Sequence, residues 1–291
     1  MFKVLLKYTT MNSINAIKLA LILMISGSCV NRPAEKEWQP LLNGTDLAGW
    51  ETYLGPKWDT LRNDWDTVPV GYNVDPTKVF DLVEMEGEKV LRISGEHFGG
   101  INTTREFENY HLQMQFKWGQ AQWSPRKTGK KDSGLMYHAV GPQGADGGFW
   151  MRSQEFQIEE GDCGDYWACA GAIFDINAVT QQDSSYLYSK DGNLITFSNT
   201  SEAGRHCIKN PDAEKPTGQW NTLDLYCVGN TAVHVVNGVV TMVLQHSRQL
   251  EGGVEIPLTR GKIQIESEGA EVFYRNIQVR AIDQLPEGLL E

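Results

Sequence analysis

Gln154-Glu155-Phe156-Gln157-Ile158-Glu159 is the stretch on which the reading of this chain turns. Successive side chains on a strand point to opposite faces. Phe156 and Ile158 therefore share one face, and Glu155, Gln157 and Glu159 share the other. An apolar pair backed by carboxyl and amide groups predicts a sheet with a core on one side and the floor of a wet cleft on the other. The competing reading is a solvated outer face, the commoner fate of alternating polar residues. Trp150, Tyr166 and Trp167, with Arg152 and His138 nearby in sequence, favour the cleft.

The same alternation recurs on either side. Tyr110, Leu112, Met114, Phe116 and Trp118 take one face of a strand, and His111, Gln113, Gln115 and Lys117 the other. Phe80 to Met85 and Lys89 to Ile93 flank Glu86-Gly87, a hairpin pattern. Asn237-Gly238 stands between two β-branched runs, the strongest short hairpin signal. Residues 54–77, rich in Trp, Asp and Pro, read as a long loop carrying Trp58 and Trp65. No segment sustains a 3.6-residue period, so helices are expected to be minor. About a dozen strands separated by turn signals predict an all-β fold, an antiparallel two-sheet jelly-roll sandwich.

The chain has 291 residues, a net charge of −11 and 26 basic residues, with no basic stripe. That distribution speaks against a nucleic-acid partner. Residues 1–29 read as a signal peptide. Leu19 to Ile25 is an apolar run too short to span a bilayer, and Ser26-Gly27-Ser28-Cys29 resembles a lipoprotein cleavage site with Cys29 lipidated. Residues 30–37 would then be a tether, and 38–284 a single domain. The expected address is periplasmic or outer-membrane, with membrane contact only through the lipid anchor. Four further cysteines, Cys163, Cys169, Cys207 and Cys227, are open to two disulfides or to free buried thiols.

Five elements in order carry a family resemblance: Leu42-Asn43-Gly44-Thr45-Asp46-Leu47-Ala48-Gly49-Trp50, Asp132-Ser133-Gly134-Leu135, Glu155-Phe156-Gln157-Ile158, Gly171-Ala172-Ile173-Phe174 and Val272-Phe273-Tyr274-Arg275-Asn276-Ile277. Together, from about Trp38 to Ile282, they resemble the 3-keto-disaccharide hydrolase family. The resemblance implies a concanavalin-like jelly roll related to the glucanases, and a di- or oligosaccharide substrate already oxidised at C3. In those glucanases one strand carries Glu-x-Asp-x-Glu, where this chain has Glu155-x-Gln157-x-Glu159. Gln157 lacks the charge that tunes its neighbours there. Residues i and i+4 on a strand also lie ~13 Å apart at Cα, against ~5.5 Å between retaining carboxyls. Both points argue against ordinary retaining hydrolysis.

A C3 ketone acidifies the C2 proton, so a base removes it and the C1 substituent leaves by elimination, with water addition completing net hydrolysis. The candidates for proton transfer are Glu155, Glu159 and His138. Arg152 and Gln157 are candidates to polarise the ketone; Trp167, Lys117 and Asp132 are candidates for substrate contact. Imidazole and carboxylate donors leave room for a divalent metal among His138, Glu155 and Glu159, which the sequence does not assign. Asp162 and Asp165 read as turn formers. A sugar-binding module without chemistry and a conventional glucanase are the alternative functions.

Overall fold

The structure, a computed structural model, describes residues 36–291. The expected signal peptide, Cys29 and most of the tether lie outside the described residues. Regular structure among the described residues is entirely β, in two antiparallel sheets with crossed-over strand order. One sheet has twelve strands; the other has eight, with Arg152–Glu159 between Tyr166–Cys169 and Asp132–Val140. Asp132–Val140 is followed across that sheet by Lys262–Ser267, then Gly99–Thr103 and Trp50–Asp59. This is the jelly-roll class that the alternating patterns predict.

The core lies between the sheets. Phe156 and Ile158 face it from one sheet, and Leu225, Leu244 and Tyr274 from the other; all five are fully buried. Phe156 stacks on the ring of His234 at 4.0 Å, and His234 Nε2 meets the Tyr137 hydroxyl at 3.0 Å. Burial pushes the His234 pKa down to about 3, so the ring is neutral and the core holds no charge there. All four described cysteines are free and buried.

The two predicted hairpins form, and both turns use left-handed residues: Glu86-Gly87 has φ of 55° and 84°, and Asn237-Gly238 has 51° and 82°. Residues 54–77 differ from expectation. Trp50–Asp59 and Asp64–Tyr72 pair as a hairpin at the sheet edge, with Trp58 opposite Trp65 and Pro56 opposite Pro69. Proline interrupts the pattern in sequence, yet an edge strand tolerates the missing N–H. The pairing also contains a bulge between Pro56 and Trp58.

Replacing Phe156 with Ala removes a ring that fills the centre of the core. The expected loss is about 3–5 kcal/mol, read from the midpoint of a denaturant unfolding curve.

Candidate active site

The outer face of the eight-stranded sheet is built by the residues that alternate with the core positions. Glu155, Gln157 and Glu159 leave the strand Arg152–Glu159 on that face. Across the ladder, Glu155 lies opposite Met136, and Met136 opposite Gln264. In the next row Gln157 lies opposite Gly134. On the far side of Gly134 the strand Lys262–Ser267 contributes Glu266. A Cβ added at Gly134 would stand 2.7 Å from Glu155 Oε1 and 2.6 Å from Glu266 Oε2. Two carboxylates thus lean into the space that a side chain at position 134 would fill.

More acid surrounds the pair. Arg126 reaches in from the segment after Tyr110–Gln122; its Nη1 sits 2.7 Å from Asp132 and 3.5 Å from Glu159, and its Nη2 2.6 Å from Glu268. Cys169 donates its thiol to Glu155 Oε2 at 3.3 Å. Glu155 is 7% exposed, and Asp132 and Glu266 are each 1% exposed. One oxygen each of Asp132 and Glu266 is buried without a hydrogen-bond partner. A buried, underpartnered carboxylate disfavours its charged form.

The proton affinities follow. Burial, reinforced by Glu268, pushes the Glu155 pKa up to about 8. Burial also raises Glu268, to about 7, against the pull of Arg126. Glu266 is held well above the carboxylate range by burial and then by Glu155. The cluster therefore retains protons at neutral pH.

The loop of residues 141–151 walls one side of this face. Gln143 donates to Asn102, and Met151 N–H to Gln264 at 3.0 Å. Asp146 holds Arg205 at 3.1 Å. Phe149 and Trp150 pack with Phe98, and Trp65 packs on Phe98 and Phe149, with centroids 4.7 to 6.3 Å apart. Trp65 and Trp150 keep part of their surface exposed. On the opposite flank, Trp167 pairs with Glu155 across the ladder, and Arg205 lies 5.0 Å from its ring centroid.

Of the sequence candidates, Glu155, Gln157, Glu159, Asp132 and Trp167 share this face. His138, Arg152 and Lys117 do not. His138 lies within a bulge between Tyr137 and Val140 and has φ 51°. The bulge turns the ring inward, against Tyr110 and Tyr137, where burial lowers its pKa to about 4. Unbroken alternation would have put it beside Glu155. Arg152 has the parity of Phe156, and its guanidinium donates to Ala170 O at 2.7 Å and Gln249 Oε1 at 3.1 Å. Lys117 belongs to the other sheet and pairs with Glu86 at 2.8 Å. The metal set His138, Glu155 and Glu159 is consequently not assembled, and no other group of three or more His, Cys, Asp or Glu suited to a metal occurs among the described residues. Asp165 is more than a turn former: it is 1% exposed and accepts from His206 at 2.7 Å and from Lys209 N–H at 2.9 Å.

Glu266, Glu268, Arg126 and Arg205 are missing from the sequence candidates. A signal for the first two exists. Gln264, Glu266 and Glu268 alternate with Ile263, Ile265 and Ser267 in the same way that Glu155, Gln157 and Glu159 alternate with Phe156 and Ile158. Nothing comparable marks the two arginines, which come from loops.

Fold and site together define a two-sheet β-sandwich with a recessed, proton-retaining carboxylate cluster on one outer face. Residues 37–280 match the family described as 3-keto-alpha-glucoside-1,2-lyase-like domain, and the chain belongs to that family. No functionally curated protein matches it. Among solved structures, it is similar to a candidate glycosyl hydrolase from Parabacteroides distasonis at 18% identity, covering 84% of this chain and 94% of that one, TM-score 0.47. It is also similar to a Bacillus licheniformis beta-glucanase at 12% identity, covering 86% and 100%, TM-score 0.40. A carbohydrate binding module from Bacillus subtilis aligns at 8% identity, covering 69% and 92%, TM-score 0.40.

The raised carboxyls set a pH dependence. A carboxyl whose folded pKa exceeds its unfolded value near 4.5 stabilises the fold at low pH and loses that contribution as pH rises through the folded value. His138 and His234, both lowered from 6.5, act in the opposite sense, but only up to about their unfolded value. From pH 7 to 8.5 the carboxyls should dominate: thermal midpoints fall across this range, and Glu155→Gln flattens the decline.

Proposed function

We propose that the protein cleaves a 3-keto-glycoside by removing the C2 proton and expelling the C1 substituent, with hydration as a following step. The observation that carries this reading is the pair Glu155 and Glu266 converging over Gly134. Two carboxyls converging on one desolvated point do not both ionise readily. Glu155 is the member that ionises first, as pH rises toward about 8, and it then serves as base while Glu266 keeps its proton. Glu155 is the member beside Arg205 and Trp167, and is assigned as the base.

The steps balance as an elimination. Glu155 takes the proton from C2, and the C–H electrons form an enolate toward the C3 oxygen. The enolate then collapses to the C1–C2 alkene as the C1–O bond breaks and its electrons leave on oxygen. A raised carboxyl pKa suits this work, since a stronger base better matches a carbon acid. Arg205, whose positive charge acts on Glu155 and lowers its proton affinity, is assigned to the ketone oxygen, where a fixed positive group stabilises the developing enolate. The partly exposed Trp65 and Trp150 supply the apolar surface against which a sugar ring packs. Family membership supports the substrate class.

The same proposal places the chain outside the cytoplasm, held to a membrane through lipid on Cys29. Cys29→Ser is expected to shift the protein from the membrane fraction to the soluble fraction.

For the chemistry, the wild type should release both products from a 3-keto-disaccharide and exchange C2–H for solvent deuterium. Glu155→Gln should lower turnover by about 10²–10⁴-fold with a cooperative unfolding transition no less stable than the wild type's at pH 6. Undiminished turnover and exchange in that variant would remove Glu155 from the reaction.

A further inference from the structure

The elimination needs a second proton transfer, to the departing oxygen, and no residue above has been given it. We infer that His206 performs it, with Asp165 as its positioning residue; this rests on the assignment of Glu155 as base. His206 lies directly opposite Trp167 across one ladder, and Trp167 directly opposite Glu155 across the next. Directly opposed residues project from the same face. His206 therefore emerges on the face of Glu155, two interstrand steps of about 4.8 Å away. Glu155 and His206 thus stand roughly 10 Å apart at the backbone on one face, with Trp167 between them.

The imidazole is held in a defined pose. Its ring centroid lies 4.2 Å from that of Trp167 at an interplanar angle of 14°. Nε2 meets Asp165 Oδ2 at 2.7 Å, and the other oxygen of Asp165 accepts the Lys209 N–H. A buried carboxylate anchored on a backbone amide fixes the orientation of the ring. Nδ1 remains for substrate, and the side chain is 32% exposed. Charged groups around it are Asp165, Lys209, whose Nζ is 3.7 Å from Asp165, and Arg205, which precedes it in the chain.

The transfer is balanced. As the C1–O bond breaks and its electrons move to oxygen, the Nδ1 proton of the imidazolium passes to that oxygen, and an alcohol departs. The neutral imidazole recovers a proton from water. A leaving group that is stable as an anion has no need of this proton, which gives a readout separate from structural damage.

Two substrates with the same 3-keto glycosyl unit form the test, one with a sugar as leaving group and one with 4-nitrophenol. His206→Phe keeps an aromatic ring on Trp167, and His206→Gln keeps polarity. Both should lose about 10²–10⁴-fold on the disaccharide while releasing 4-nitrophenol at close to the wild-type rate. Asp165→Asn should show the same leaving-group dependence with a smaller loss. Equal losses on the two substrates, or no loss on either, would overturn the role of His206. If the wild type turns over neither substrate, the assignment of Glu155 fails first, and this one falls with it.

Discussion

A carboxylate moved out of water loses hydration that only a cation or hydrogen-bond donors replace, and here Asp132, Glu155, Glu266 and Glu268 are buried together around two arginines. Arg126 meets Asp132, Glu159 and Glu268, and Arg205 is held by Asp146. The central pair, Glu155 and Glu266, is left to settle its charge by keeping a proton. The arrangement depends on the absence of a Cβ at Gly134. A side chain there would occupy the position now shared by the two carboxyl tips. The sandwich core supplies the rigidity that keeps such an unfavourable cluster in place.

Core and site are two faces of the same strands. Phe156 and Ile158 anchor Arg152–Glu159 through apolar burial, and that anchorage fixes the register of Glu155 and Gln157 on the other side. A slip of one residue would exchange the two faces and bury the carboxylates in the core. Loop 141–151 adds what the sheet cannot: a wall with Asp146 for Arg205 and two aromatics for the rim. Strand positions therefore carry Glu155, Asp132 and Glu266, and loops carry the cations and the enclosing surface.

Much of this is legible in sequence. Alternation at Tyr110 to Trp118 and at Gln154 to Glu159, with Asn237-Gly238 and Glu86-Gly87 as turns, leads to the antiparallel sandwich. Where the reading fails, the cause is local. Proline hides the edge hairpin at residues 50–72, because an edge strand bears a lost donor that a central strand does not. His138 looks like a neighbour of Glu155 by parity, and one bulge reverses it. Arg152 is the converse case, since its parity with Phe156 already argued against the outer face.

By itself the sequence determined the class of fold, the face on which Glu155, Gln157 and Glu159 stand, and the family, because these follow from two-residue periodicity and from motifs in linear order. Only the tertiary structure decided which carboxylates meet. Glu155 faces Glu266 rather than Glu159, since side chains four apart on one strand diverge along it while those flanking Gly134 on different strands converge. Strand order and register set that encounter. They depend on the packing of the whole sandwich and are written in no single stretch of the chain.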